Sequence, residues 1–391
     1  MDILSSKKSY LGVDLGASAV KIVELQDKAG RAVLLTYGYV EQPTDIIRSS
    51  SREMEEQIVD IIKDIHKKSR MTSKRVVAAL PSFSVFSSII SLPTMKKKDL
   101  AKAIQWEAKK FIPLPIEEMT LDWKIVPPKP VVKPLLPAKK TVEPQVGVAT
   151  PPGEAKTSFL GQLLSDKKKQ AALPSPPSIK DNIKVLLTAA PKKIVERYIR
   201  IFRSAGLELS SLETEAFALE RSLAGNDPTP IMIIDIGAVT SDVSIIESSI
   251  PILTRSIDVG GTSITKAIMT SLNVDLDRAE QFKRDIGFSS LGSGDLPEII
   301  KSAINPIINE VKYSLDIYLT QSGNNKIEKI VLTGGSTFLP ELVNYLSKIL
   351  DIKVIIGDPW DRIVYPLELK PVLSELAPRL SVAVGLAMRE I

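Results

Sequence analysis

Two short stretches of this chain could do the same chemistry. Asp14-Leu-Gly-Ala-Ser-Ala-Val-Lys21 follows one apolar run and leads into another, and Asp235-Ile-Gly-Ala-Val-Thr-Ser-Asp242 does so again about 220 residues later. Each reads as a strand, an Asp-x-Gly turn and a returning strand. Gly16 and Gly237 let the backbone turn tightly and come close to an anion. Ser18 in the first turn, and Gly237, Ala238, Thr240 and Ser241 in the second, would donate to phosphate oxygens. Lys21 lies seven residues after Asp14, so a hairpin returns it toward a β- or γ-phosphate. Asp14 and Asp235 would share one Mg²⁺ from opposite sides through water, since Mg²⁺ keeps much of its hydration shell. One such motif is an ordinary hairpin; two facing each other make a cleft for a triphosphate.

Further residues could complete that cleft. Thr333-Gly334-Gly335-Ser336 follows an apolar strand, and its glycines permit close approach to the flat face of an adenosine. Gly260 and Gly261, in Asp258-Val-Gly-Gly-Thr262, add another glycine turn. In Ala279-Glu-Gln-Phe-Lys283 a helix would bring Glu280 and Lys283 to one side, where they could clasp ribose hydroxyls and the adenine edge or simply pair with each other. Glu215, in the crossover between the two halves, is placed to orient an attacking water as in phosphoryl transfer, with Glu213 as a neighbouring competitor. The sequence has no Gly-x-x-x-x-Gly-Lys-Ser/Thr loop, so ATP binding requires the two-domain arrangement.

The elements that must position these residues follow from the pattern. At 391 residues, with 44% hydrophobic and 25% charged side chains, the chain suits two or more globular domains. Its net charge of +5 includes Lys96–Lys98 and Lys167–Lys169, with no interleaved aromatics of the kind a nucleic-acid platform needs. There is no Cys and a single His, His66, which removes thiol chemistry, Ser-His-Asp catalysis and Cys- or His-based zinc sites. The N-terminus has no basic-then-apolar leader, and no apolar run is read as a membrane span. A cytoplasmic protein is expected.

Residues 10–41 read as three strands, 52–68 as an amphipathic helix and 75–80 as a buried strand ending at Pro81. Then come a strand at 84–92, a helix at 97–111 with Leu100, Ile104 and Phe111 on its apolar face, and a strand from Met119 to Val126. Residues 127–182 hold eleven of the 27 prolines and many lysines, and read as a disordered or extended linker. Within it, Thr157–Asp166 could form a short amphipathic helix. A strand at 183–190 and a helix at 192–205 follow. The second half repeats the hairpin at 231–246, then has helices near 263–272, 276–286 and 296–320, a strand into the Gly334 turn, a helix at 338–350, a strand at 353–356 and a closing helix near 378–390.

With these residues in view, the chain resembles the bacterial actin-like proteins, and among them the PilM family of type IV pilus assembly. The Asp-x-Gly hairpins, the Ala279–Lys283 helix and the Thr333–Ser336 turn are shared with the actin, sugar-kinase and chaperone ATPase group. Leu92-Pro-Thr-Met95 followed by Gln105-Trp-Glu-Ala-Lys-Lys-Phe-Ile-Pro-Leu-Pro-Ile116 is more particular to PilM-like chains. Glu213-Thr-Glu-Ala-Phe-Ala-Leu219 resembles their crossover, and Ala377–Met388 their closing helix. Ser241 stands where many relatives have Thr.

The resemblance implies an α/β, actin-like two-domain ATPase fold: duplicated ribonuclease-H-like domains with an inserted small α/β subdomain. It divides the chain into 1–81, an inserted subdomain at 82–207, a crossover at 208–230, and a second domain at 231–262, 263–326 and 327–391. It implies ATP and Mg²⁺ in the cleft, with slow or absent hydrolysis. It implies a groove, drawing on 84–92 and 97–111, for the N-terminal cytoplasmic tail of a PilN-like membrane protein. Contact with other pilus assembly components, self-association, and a place at the inner face of the inner membrane through the partner also follow. A small-molecule kinase, a cell-division relative and a type II secretion relative are the alternatives. The insert's Lys133-Pro-Leu-Leu-Pro137 run resembles PilN tails and suggests a visit to the chain's own groove.

Overall fold

The structure is a computed structural model that describes residues 8–41, 48–49, 51–112, 114–126, 182–225, 227–289, 296–322 and 325–391. The linker expected at 127–182, with its Thr157–Asp166 and Lys133–Pro137 runs, lies outside the described residues except for Asn182.

Two five-stranded sheets are built to one plan. In the first, β1 (Ser9–Leu15), β2 (Ala19–Asp27), β3 (Ala32–Glu41), β4 (Arg75–Leu80) and β8 (Glu208–Thr214) lie in the order β3-β2-β1-β4-β8. In the second, β9 (Ile231–Ile236), β10 (Ser241–Glu247), β11 (Ile250–Ile257), β12 (Lys329–Thr333) and β13 (Lys353–Ile356) lie in the order β11-β10-β9-β12-β13. Each sheet begins as an antiparallel meander and ends with parallel strands that need crossover helices. β1 and β9 occupy the same place in their sheets, so the Asp-x-Gly turns leave equivalent strands.

A three-stranded antiparallel sheet is inserted after β4. Its order is β5 (Phe86–Pro93), β7 (Asn182–Pro191), β6 (Met119–Val126). Helix α2 (Lys97–Ala108) packs on it through Leu100, Ile104, Ala108 and Ile112. The helix stops at Ala108, and Phe111 lies in the following turn, half-exposed, rather than on the apolar face the sequence suggested. Helix α3 (Lys192–Ser204), grouped with the insert in the sequence reading, sends Tyr198, Ile201 and Phe202 into the first domain's core beside Val13, Leu80 and Ile62.

Local signals explain most boundaries. Helix α1 (Arg52–Lys68) starts where the Ser51 hydroxyl accepts from the Met54 amide at 3.2 Å. It has Glu53 and Glu55 in its first turn and Lys67 and Lys68 in its last, which suits the helix dipole. It buries Ile58, Val59, Ile62 and Ile65 against the first sheet. His66 lies at its end with Nε2 2.9 Å from the Ser73 carbonyl.

The closing helix α9 (Lys370–Ala387) begins eight residues before the expected start, with Pro378 inside it. It packs against β1 and β2 in one domain and touches β12 in the other. Val382 and Leu386 join Val77 and Ala79 of β4 to Ile231, Ile233 and Val331 of the second sheet. At its crossing with α4 (Glu215–Leu219), a Cβ on Gly385 would come within 1.9 Å of the Ala218 carbonyl oxygen, so only glycine fits. Among the described residues one helical stretch, Leu367–Glu390, is long and apolar enough by length and composition to cross a membrane; 67% of its most apolar window is buried in this core.

The second domain carries α5 (Gly261–Leu272), α6 (Leu276–Asp285) and the long α7 (Leu296–Ser322). Helix α8 (Leu342–Leu350) starts four residues later than expected, because Gly335–Phe338 forms a 3₁₀ turn first.

Candidate functional site

The two hairpins have the same turn. The Gly16 amide donates to the Ala19 carbonyl at 3.0 Å, and the Gly237 amide donates to the Thr240 carbonyl at 3.0 Å. In the first hairpin Asp14 pairs across the ladder with Lys21; in the second Asp235 pairs with Asp242. Side chains at directly paired positions share one face of a sheet, so each turn presents two charged groups to the space between the domains. Ser18 is exposed at the tip of the first turn, while Ala238 and Thr240 are half-buried in the second.

Electrostatics bind these groups into one site. Lys21 Nζ lies 2.7 Å from Asp14 Oδ2. Burial opposes the lysine's charge, but Asp14, and then Asp235 and Glu215, hold its pKa above the usual value. Desolvation pushes Asp235 up to about 6; Lys21 works against the shift and Asp14 adds to it. These cross-influences place both aspartates on one locus.

Glu215 closes that locus. It begins α4, directly after β8. Its Oε2 accepts from the Ser82 amide at 3.0 Å and from the Ser82 hydroxyl at 2.5 Å. Burial pushes its pKa well above the carboxylate range, with Asp242 and Asp14 adding to the shift and Ser82 opposing it. Glu213 is not in the cleft. Its two oxygens accept from the Arg221 guanidinium at 2.8 and 2.9 Å, and Arg389 lies 3.4 Å away.

Asp242 and Ser82 are site residues that sequence reasoning missed. Burial pushes Asp242 up to about 7; the Ser256 and Ser82 hydroxyls oppose the shift and the Asp235 charge adds to it. Its Oδ1 is buried without a hydrogen-bond partner. The signal for Asp242 was present in the motif, because its spacing from Asp235 equals that of Lys21 from Asp14. Ser82 had none, since its role depends on where the inserted subdomain leaves β4.

The remaining motifs surround the second turn. The Gly261 and Thr262 amides donate to the Gly237 and Ala238 carbonyls at 2.9 and 2.8 Å. A Cβ on Gly260 would come within 2.7 Å of the Ala238 backbone. Ser241 is fully buried and its hydroxyl donates to the Val259 carbonyl at 2.6 Å, so it braces this turn instead of facing a phosphate. Lys283 Nζ reaches Glu280 Oε1 at 2.6 Å, Thr265 Oγ1 at 2.7 Å and the Gly261 carbonyl at 3.3 Å. Burial works against the Glu280 carboxylate, yet Lys283 and Thr265 hold its pKa below the usual value. Gly334 is buried with φ 92°, and a Cβ there would lie 2.3 Å from Asp235 Oδ1; Gly335 is exposed, with open space around it. Ser336 Oγ would lie 2.7 Å from a Cβ on Gly261. The Glu280–Lys283 pair and the Gly334 turn thus flank the second hairpin.

The donor set suits a magnesium-bound triphosphate. Acidic oxygens, a buried ammonium and glycine turns are what such a ligand requires, and the orphaned Asp242 oxygen asks for a hydrogen-bonded solvent or ligand. Among the described residues no three acidic or imidazole side chains converge as a ready metal cage. An ion there would keep its waters and lean on phosphate oxygens, as Mg²⁺ does.

Two duplicated α/β domains, closed over a carboxylate-lined cleft and spanned by one buried helix, define an actin-like ATPase fold. The chain belongs to the type IV pilus assembly protein PilM family, whose model matches residues 12–150 and 171–391. Among solved structures it is similar to the PilM-PilN type IV pilus biogenesis complex, with a TM-score of 0.74 and 24% identity over 97% of this chain and 98% of that one. It is also similar to the ethanolamine utilization protein EutJ from Carboxydothermus hydrogenoformans, with a TM-score of 0.53 and 15% identity over 97% and 89% of the two chains. The cell division protein FtsA of Bacillus subtilis is 23% identical over 194 residues, which are 44% of either chain. The chain thus spans less than half the length of this curated relative.

Proposed function

We propose that this type IV pilus assembly protein is a docking protein whose cleft takes magnesium-ATP and whose inserted subdomain takes the cytoplasmic N-terminal tail of a PilN-like membrane protein. The observation that carries the nucleotide reading is the paired hairpins, with Lys21 shared among Asp14, Asp235 and Glu215. Asp14 and Asp235 would hold the hydrated ion. Lys21 and the amides around Gly16 and Gly237 would hold phosphate oxygens, with Ser18 and Thr240 at the turn tips. Glu280, Lys283, Gly260, Gly261 and the Gly334–Ser336 turn would hold the nucleoside. The ion, when bound, supplies charge neutralisation at the phosphates.

Glu215 would hold a water in line with the terminal phosphate. Ser82 fixes the orientation of that carboxyl. Burial raises its pKa, which works against the ionised form, and that suits slow or absent hydrolysis. The partner reading is supported by similarity to the PilM-PilN complex and by exposed apolar side chains on the insert. Trp106 is 70% exposed, and Phe111 and Leu114 are about half exposed. Solvated apolar side chains gathered at one end of a helix are a common mark of a partner site. Such a partner would bring the chain to the inner face of the inner membrane, among other assembly components.

Titration calorimetry with ATP, with and without Mg²⁺, tests the cleft. Magnesium-dependent binding is expected, weakened at least tenfold in Asp14→Asn and in Asp235→Asn. Binding indifferent to the metal and to both substitutions rejects the reading. Capture of the chain by synthetic tails of the co-encoded membrane protein tests the partner.

A further inference from the structure

One arginine touches all three parts of the molecule. Arg48 comes shortly before α1, and the amide of that helix's cap, Ser51, donates to the Ser49 hydroxyl at 3.4 Å, which fastens Arg48 to the first domain. Its guanidinium pairs with the Asp258 carboxylate of the second domain. It also lies over the Phe83 ring of the insert, 4.7 Å from the centroid. Each partner is next to a brace of the site. Val259, after Asp258, accepts from the Ser241 hydroxyl of the second hairpin, and Gly261 donates to the Gly237 carbonyl. Ser82, before Phe83, holds Glu215 Oε2 through its amide and its hydroxyl.

We propose that Arg48 is a tie across the cleft that sets how long a bound nucleotide stays, by fastening the first domain to the second at Asp258 and to the insert at Phe83. The inference rests on the magnesium-nucleotide reading and deepens it. Both contacts need three different parts of the molecule to stand at this spacing, so they favour this arrangement of the domains over a more open one. Both are also solvent-exposed: the Asp258 side chain is 71% exposed and Phe83 is 44% exposed. Exposed ion pairs and exposed cation–π contacts are individually weak. The tie therefore breaks and remakes without unfolding, and little of the global stability depends on it. Arginine suits the role, because its flat guanidinium covers an aromatic face while its edge donates to a carboxylate. An ion pair open to water is screened by salt, so the hold on the nucleotide loosens as ionic strength rises.

The test follows release of a fluorescent ATP analogue, loaded on the full chain with Mg²⁺ and chased with excess ATP, in the parent, Arg48→Gln, Asp258→Asn and the double variant. Arg48→Gln should release the analogue roughly three- to tenfold faster, the range that one exposed ion pair and one cation–π contact supply. Asp258→Asn should release it faster than the parent by a smaller factor. The double variant should be no faster than Arg48→Gln, because both substitutions remove the same pair. The unliganded melting temperature should stay at the parent's value in all three. Unchanged release in Arg48→Gln overturns the proposal and leaves the nucleotide reading standing. A double variant whose acceleration is the product of the two single ones also overturns it, because each residue would then act alone. So does a marked drop in the unliganded melting temperature of Arg48→Gln, because the arginine would then serve the apo fold. A parent chain that takes up no nucleotide overturns both readings together.

Discussion

Lys21 and Asp242 stand at the same place in two copies of one hairpin, with opposite charge. Lys21 pairs across the ladder with Asp14, and Asp242 with Asp235. The duplicated frame therefore carries an asymmetric site: one domain offers an acid and a base, and the other offers two acids. With Glu215 added, one lysine faces four carboxyl groups, and burial raises the pKa of three of them, Glu215, Asp235 and Asp242.

Removing that lysine tests the balance. Asp14 is 4% exposed and its ion pair is short. Taking one partner from a buried pair leaves an uncompensated charge, at a cost of about 3 kcal/mol. Lys21→Met should lose about that much in urea unfolding at pH 8. The loss should shrink at pH 5, where Asp235, with its pKa raised to about 6, is protonated. An equal loss at both pH values would show that the lysine acts through packing.

The raised carboxyls also set a pH dependence. Asp235 and Asp242 are pushed up to about 6 and about 7 from 3.8. The folded chain therefore binds more protons than the unfolded chain between these values. Their contribution to stability is full below about pH 4 and is lost as pH rises through 6 to 7. The unliganded protein should melt higher at pH 5.5 than at pH 8. Asp242→Asn should flatten that slope and stabilise the protein at pH 8 by roughly 1–3 kcal/mol. Melting curves across pH, compared between parent and variant, check this.

Much of the fold and site could be read from residues in sequence. The α1 boundaries follow from Ser51 and the Ile58–Ile65 stripe, and both hairpins follow from alternating apolar runs around Asp-x-Gly. The misses share a cause: partners distant in sequence. Pro378 looked like a helix start, but it lies within α9, where packing between two sheets outweighs a lost backbone bond. Ser241 looked like a phosphate ligand until the Val259 carbonyl claimed its hydroxyl.

The adjacent glycines of the third motif should behave differently. Gly334 has φ 92°, and any Cβ would meet Asp235 Oδ1 and the Ile236 carbonyl oxygen within 2.5 Å. Gly334→Ala should cost about 2–4 kcal/mol, from left-handed strain and a clash with the Asp235 carboxylate. Gly335 has open space, so Gly335→Ala should fold as the parent does. If its face is the nucleoside's, the added methyl lowers nucleotide affinity alone. Melting temperature and calorimetry together separate the two outcomes.

Ser82 offers a way for the cleft to reach the partner surface. It opens the short turn Ser82–Ser84 between β4 and β5, so it is where the inserted subdomain leaves the first domain. Its amide and hydroxyl both grip Glu215 Oε2, and its hydroxyl also favours the charged form of Asp242 across the domain boundary. Beside it, a cavity of about 210 Å³ is lined by Phe83 and Val85 of the insert, Thr214 and Phe217 of the crossover, and Thr254 and Ser256 of the second domain. The junction is therefore loosely packed as well as hydrogen-bonded, and a small shift of Glu215 has room to move β5. Ser82→Ala keeps the amide bond and removes one charge-assisted bond, worth about 1.5–3 kcal/mol. The variant should bind nucleotide and tail peptide separately within threefold of the parent. The ratio of tail affinities with and without magnesium-ATP should collapse toward one, because the coupling between two sites is the free energy carried by the element they share. A ratio equal to the parent's would mean that the signal reaches the insert by another route, through α9 or α3.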